Sequence, residues 1–411
     1  EEDVFRAGPP ATILGAIATL RNELLVRRVG REQVPALDVF HSRVRDAVLA
    51  SMDEETVRRG HRTLIALFER AALVDPMLLV HHYVGAGEPA RAAELALAAA
   101  ERSAEALAPN AAAAMYRKAI DLGASGAPLW QLQAALGTAL VHAGHGGEGA
   151  RWLDRASATL LASAPGDLEA SRLRREAAEH YLRSGLHAEG LAALRDVLAA
   201  HQITYPRSAA AALASLLFHR ARLAISERRD RILGRDRVTD EEHEILETYW
   251  SAGVGLSLFD GIRAADFNAR HARFARKLAD VGHMARAAAS QGLILAWEGG
   301  RRKHARSVER LRLGKTLARA SDNPNVMAHA MLMEAASAYM ECRWRDAITL
   351  AADVEVLCTT RCQGAAWELA NAHVMSSNSL ACLGEARRLR EHLPRVLRKA
   401  SERDDQYLLV T

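Results

Sequence analysis

The chain repeats one construction: a helix-forming stretch halts at a tight turn, and the next stretch carries a small residue at a fixed distance from that turn. The turns are Gly87-Glu88-Pro89, Gly144-His145-Gly146, Gly185-Leu186-His187 and, with cysteine in the glycine place, Cys342-Arg343-Trp344. Five residues beyond the first member of each stand Ala92, Gly149, Gly190 and Ala347. Glycine ends a helix readily because it enters the left-handed backbone region without a Cβ clash. A bulky side chain at the fifth position would hold the second helix away from the first. The pattern predicts helical hairpins whose axes approach closely and which stack on one another, an arrangement that more often binds than catalyses.

Of 411 residues, 49% are apolar and only 5% aromatic, and runs of β-branched residues long enough for a sheet are few. That composition supports a large core and an all-α fold. The expected architecture is an α-α superhelix of degenerate tetratricopeptide-like hairpins. The intervals between turn glycines, 57 residues from 87 to 144 and 41 from 144 to 185, exceed the regular spacing of about 34. They leave room for an extra helix near residues 110–122. With about 20 residues for a helix and its turn, the chain holds about twenty helices.

The 54 basic and 50 acidic residues leave a net charge of +4, a near balance that argues for neither nucleic acid nor an anionic membrane as partner. Cys342, Cys358, Cys362 and Cys382 are too few and too unevenly spaced for a disulfide frame, and fit reduced thiols in the cytoplasm. No apolar run of 18 residues and no signal-peptide pattern occurs. The opening at Glu1, in mid-sequence, is expected of a segment of a longer protein.

Along the chain, residues 11–26 have helical apolar periodicity through Ile13, Ile17, Leu20 and Leu24. Leu24 to Gly30 and Ala36 to Phe40 then suggest two short strands around Gly30 and Pro35, followed by a helix from Ser42 to Leu49. Ser51-x-x-Glu54 has the form of a capping box opening a helix with Leu64, Leu67, Phe68 and Ala71 on one face. Asp75-Pro76 and Asn323-Pro324 supply a capping side chain and a first-turn proline. Pro206 and the basic stretch Arg220 to Arg237 interrupt the rhythm, and a second capping box, Thr239-x-x-Glu242, restarts it. The expected divisions are residues 1–55, the end of a winged-helix module; 56–237, a first helical array; and 238–411, a second.

Motifs that carry chemistry are incomplete. Gly314-Lys315-Thr316 has the tail of a phosphate loop, but Glu309 stands where the first glycine belongs, and Leu311-Arg312-Leu313 continues a helix. Asp266-Phe267-Asn268 echoes a metal-binding triplet of protein kinases without its glycine or an upstream His-Arg-Asp. Cys358-x3-Cys362 and His142-x2-His145 each lack a second ligand pair, and His81-His82 has the form of a helix-surface pair. The expectation is no catalytic, cofactor-binding or metal-ligating residue in the segment.

Candidate interface residues remain. Arg302, Arg306 and Arg310 fall near one helix face within a basic run, a solvated or protein-facing surface with no interleaved aromatics for nucleic-acid stacking. Trp250 sits beside Ser251, Ala252, Gly253 and Gly255, small residues that let two helices approach while the indole fills the gap. Asp260, Arg263, Asp266 and Arg270 are spaced by three, three and four and line one helix face in alternating sign, either a salt-bridged surface or a docking face.

Two blocks go beyond generic repeats. Leu24-Leu25-Val26-Arg27-Arg28-Val29-Gly30 with Val39 to Val48 resembles the end of the winged-helix module that follows the ATPase core of STAND-type signalling ATPases. Phe40-His41-Ser42 departs from the Tyr, His and Asp that relatives tend to have there. Trp250 to Leu256 with Asp260 to Phe267 and Arg270-His271 is similar to the helical C-terminal region of bacterial serine/threonine kinases fused to an AAA/STAND ATPase. The resemblance implies a regulatory, protein-binding scaffold, non-enzymatic itself, in a parent that carries a kinase and an ATPase holding ATP and Mg. It implies as partners another protein, a small inducer or the parent's own ATPase and kinase domains, with no nucleic acid and no membrane. None of that family's catalytic or nucleotide-binding motifs has a matching position here. The alternatives are the helical arm of a large ATP-dependent transcription activator with a C-terminal helix-turn-helix, and a stand-alone adaptor.

Overall fold

All four marked turns adopt left-handed backbone: φ is +81° at Gly87, +93° at Gly144, +79° at Gly185 and +58° at Cys342. At each, the two residues of the turn return N–H groups to the preceding helix, as when Gly144 bonds Val141 O and His145 bonds Leu140 O. These are the carbonyls that a helix end leaves unpaired. The residue at the fifth position is the first to bond across the new helix start, as Gly149 N–H does to His145 O. Ala92 and Ala347 are fully buried. A Cβ at Gly149 would stand 2.7 Å from Gly137 O, and one at Gly190 2.6 Å from the Leu182 side chain. The helices meet backbone to backbone at these points, as the spacing predicts.

The computed structural model describes residues 10–29, 36–70, 75–228, 238–257, 259–402 and 408. The described residues form an all-α structure of 19 helices with one two-stranded sheet. They divide into two compact units, Glu1–Arg102 with Arg117–Gly126, and Ser103–Tyr116 with Ala127–Thr411.

The first unit begins with α1 (Pro10–Asn22), β1 (Val26–Val29), β2 (Ala36–Val39) and α2 (Ser42–Ala50). The strands pair antiparallel with Val26 opposite Val39, where the sequence suggests a hairpin. Its continuation is α3 (Glu54–Glu69), α4 (Pro76–Gly85) and most of α5 (Pro89–Glu105), closed by the end of α6 (Pro109–Asp121). Ile65, Val80, Tyr83, Ala92, Ala96 and Ala119 form its core. The cap of α3 differs from the expected Ser51: Asp53 accepts from Thr56 N–H, while Ser51 ends α2 and returns its hydroxyl to Val48 O. Aspartate one turn before a free N–H is the better-placed acceptor. Ala71 lies outside the described residues.

The second unit runs through α7 (Leu129–His142), α8 (Gly146–Ser163), α9 (Leu168–Arg183), α10 (His187–Ala200), α11 (Ala209–Arg228) and α12 (Asp240–Leu256). It ends with α13 (Gly261–Leu278), α14 (Val281–Glu298), α15 (Arg301–Ala320), α16 (Pro324–Met340), α17 (Trp344–Thr360), α18 (Ala366–Cys382) and α19 (Ala386–Glu402). Most neighbours in sequence pack against each other, while α11 packs on α13 and α9 on α12, and α14 with α16 and α16 with α18 pack one element further on. α16 thus buries one stripe against its neighbour α17 and others against α14 and α18. The basic stretch is no interruption up to Arg228, where α11 ends; residues 229–237 lie outside the described residues. Helices on both sides share one core, with Leu182, Leu194 and Leu198 against Ala252, Leu256 and Phe267.

Cysteine in left-handed backbone clashes through its Cβ where glycine does not. Cys342 is exposed and has no disulfide partner. Cys342→Gly is expected to raise stability by about 1 kcal/mol, read as a higher urea midpoint at unchanged slope.

Candidate functional site

Asp260, Arg263, Asp266 and Arg270 share one task on α13. Asp260 caps the helix by accepting from Arg263 N–H and pairs with the Arg263 guanidinium. Arg263 Nε donates to Pro206 O at 2.8 Å, and Arg270 Nη1 donates to Thr204 O at 2.8 Å. Arg270 is held in turn by Asp266 at 2.7 Å and by Ser215 Oγ at 2.8 Å. Asp266 is fully buried and Arg270 nearly so, so the alternating charges run from the surface into the interior. Together they pin residues 204–206, between α10 and α11, against α13.

The pinned segment walls a cleft of about 700 Å³ whose other sides are α10 and the start of α13. Arg195, Arg207 and Arg263 line it beside Tyr205, with Leu198 and Ile203 among its apolar residues. The guanidinium carbons of Arg195 and Arg263 lie 5.3 and 5.2 Å from the centre of the Tyr205 ring. Asp260 is the one carboxylate among the lining residues, and Arg263 engages it. The cleft therefore presents uncompensated guanidinium charge at Arg195 and Arg207 over apolar surface, which suits a carboxylate attached to an apolar group.

The second unit also buries charge between α9 and α12. On α9, Arg175, Glu179 and Arg183 fall one turn apart and face Glu244, Glu247 and Ser251 of α12. Arg175 Nε donates to Glu244 Oε1 at 2.8 Å, Ser251 donates to Glu179, and Arg183 pairs with Glu179 at 2.8 Å. Arg175 and Glu244 are 8% and 1% exposed, so neither charge has bulk water as an alternative partner. Burial works to raise the Glu247 pKa, but the hydrogen bond from His283 and the charges of Arg175 and Arg286 hold that carboxyl far below its usual range.

Trp250 lies inside this region, 5% exposed, with the Arg286 guanidinium 5.0 Å from its ring centre and the His329 ring set edge-on at 4.7 Å. Its small neighbours act as predicted: a Cβ at Gly253 would meet Asn268 at 2.6 Å, and one at Gly255 would meet Leu182 at 2.5 Å. His283 Nε2 faces the Glu247 carboxylate at 3.1 Å, and His271 Nε2 faces His283 Nδ1 at 2.9 Å. A carboxylate only accepts, so His283 donates from Nε2 to Glu247. Burial pushes the His329 pKa down to about 3 and that of His180 down to about 4.

Arg302, Arg306 and Arg310 lie apart from the cleft residues in sequence, on α15. Arg302 and Arg306 are exposed, and Arg310 pairs with Glu227 of α11 at 2.6 Å. Gly314 belongs to the α14–α15 contact: a Cβ there would stand 2.9 Å from Ala289 N. Sequence reasoning missed Arg195, Tyr205 and Arg207, which join the site only when α13 folds against residues 204–206. It also missed Arg175 and Glu244, whose one-turn spacing to neighbouring charges has the same form as a solvated face.

The fold defines the class as an all-α protein of stacked helical hairpins. No protein-family model matches the chain, and no curated protein matches it. Among the described residues no helix is long and apolar enough to cross a membrane.

Removing one partner of a buried ion pair strands the other charge. Arg175→Met is expected to destabilise the chain by about 3–5 kcal/mol, and adding Glu244→Gln to recover much of that, measured by urea unfolding.

An unfolded histidine takes its proton near pH 6.5, whereas native His180 and His329 refuse theirs until about 4 and about 3. The unfolded chain therefore binds more protons below pH 6.5, and stability is expected to fall as pH drops from there toward 4. His329→Gln should reduce that slope by up to about 1.4 kcal/mol per pH unit, seen in urea midpoints across the range.

Proposed function

We propose that the chain is a helical binding scaffold, the sensor arm of a multidomain signalling protein, and that the cleft between α10 and α13 receives an acidic segment of a protein partner. The observation that carries this reading is the convergence of Arg195, Arg207 and Arg263 on a cleft of about 700 Å³ whose single lining carboxylate is engaged by Arg263. Arginine presents a planar fork to carboxylates, and arginine and tyrosine are enriched among residues that dominate binding energy. The pinned wall lowers the ordering cost of binding, because residues 204–206 hold their shape from α13.

The likeness of Leu24–Gly30 and Val39–Val48 to a winged-helix end, and of the Trp250–His271 region to kinase-linked helical arms, supports reading the parent as a serine/threonine kinase with an AAA/STAND-type ATPase. ATP and Mg then belong to the parent's other domains. The scaffold would act by binding its partner more tightly in one state of the attached ATPase than in another, and the shift is bounded by that difference in affinity.

The test is fluorescence polarisation with labelled peptides in which Asp or Glu alternates with Leu or Phe, against matched peptides carrying Lys at the acidic positions. Acidic peptides are expected to bind saturably and more weakly as salt rises. Arg195→Glu combined with Arg207→Glu should weaken them by at least about tenfold. Equal binding of acidic and basic peptides, or affinity indifferent to the double variant, would overturn the reading.

A further inference from the structure

The sequence pattern placed His81-His82 on a helix surface, yet the structure turns the pair toward α3. His82 is 8% exposed, His61 of α3 is half-buried, and His81 remains exposed. Side chains of adjacent helical residues diverge by about 100°, but here one ligand nitrogen from each of His61, His81 and His82 lies within 4.8 Å of the others. His61 Nδ1 and His82 Nδ1 are 2.9 Å apart. The ring centres are separated by 5.2 Å for His61 and His82, 5.4 Å for His81 and His82, and 5.7 Å for His61 and His81.

Packing fixes two of the rings. The His61 ring lies flush on α4 at Gly85, where a Cβ would come within 2.4 Å of Nε2. Any other residue at 85 would push the ring, and Nδ1 with it, away from His82. His82 stacks on Phe68 at 5.3 Å with ring planes 24° apart. Burial pushes the pKa of His61 and His82 down, and the neighbouring imidazoles push it further. Both rings thus keep free lone pairs at neutral pH. A single proton satisfies the facing Nδ1 pair of His61 and His82.

We propose that His61, His81 and His82 form a three-histidine transition-metal site suited to Zn²⁺. Zinc bonds imidazole nitrogen at about 2.0–2.1 Å, which sets tetrahedral ligand nitrogens about 3.3 Å apart. The Nδ1 pair at 2.9 Å reaches that separation by a small outward rotation, and exposed His81 closes the third bond by turning its side chain. Three neutral nitrogen ligands with no carboxylate disfavour Mg²⁺ and Ca²⁺, which take oxygen. The fourth position opens beside His81 and falls to water or to an external ligand. Metal bound there clips α3 to α4 and stabilises the first unit.

The experiment uses the full chain, purified through a histidine-free tag and stripped with chelator. Co²⁺ is titrated and followed by its visible absorption, then displaced with Zn²⁺. One equivalent per chain is expected to bind saturably, Zn²⁺ to displace it, and the metal to raise the thermal midpoint in a chelator-reversible way. Losing a direct ligand costs more than losing an outer-shell partner, so His81→Ala and His61→Gln should each weaken binding by at least about tenfold. His145→Ala should leave it unchanged. His81 is exposed, so its variant keeps the packing and decides the matter even if His61→Gln unfolds. Absence of saturable binding, or affinity unaltered by His81→Ala, would overturn the assignment.

Discussion

Close approach of paired helices is the constraint on which the helical stack rests, and it acts at single atoms. Each marked hairpin turns through one left-handed residue, which delivers the next helix so near its predecessor that the residue five positions on faces backbone. A Cβ at Gly149 would stand 2.7 Å from Gly137 O, inside any tolerable carbon–oxygen contact. Dispersion falls steeply with separation, so close axes let an alanine-rich chain with few aromatics form dense cores. Ala92, Ala96 and Ala119 in the first unit and Ala285, Ala289 and Ala328 in the second are buried in this way.

Density of that kind makes the buried charges of the second unit meaningful. Glu244 and Arg175 lie where water cannot reach both, and desolvated ions persist only with partners of good geometry. The pairs found there, Arg175 with Glu244 and Arg183 with Glu179, join α9 to α12 and order α9 itself. Glu244 is met by Arg175 at 2.8 Å and by Arg172, one turn earlier on α9, at 3.8 Å. Trp250, between Arg286 and His329, extends the same organisation toward α14 and α16.

Much of the fold was legible because its signals are local. The turn glycines, the substituted Cys342, the caps at Asp75, Thr239 and Asn323, the short hairpin and the helix at 109–121 each depend on a few adjacent residues. Turns at Leu107, Gln202, Ala279 and Asp322 are equally left-handed but carry residues that do not advertise it. Ser51 and Asp53 both offer a cap to α3, and the choice depends on where α2 ends. The candidate site was half legible. The spacing of Asp260, Arg263, Asp266 and Arg270 marks one helix face, but not that half of it is buried. Arg195 and Tyr205 gain their meaning only when Arg263, 57 residues beyond Pro206, closes on the wall.

The wall of the α10–α13 cleft is gripped by guanidinium groups through the carbonyl oxygens of Thr204 and Pro206. Main-chain oxygens are common to every residue type, so the grip is indifferent to which side chains the wall displays. Exchange of the exposed Thr204 and Arg207 side chains leaves these bonds in place, so the wall keeps its course. The arrangement separates what the receptor surface recognises from what holds it in place.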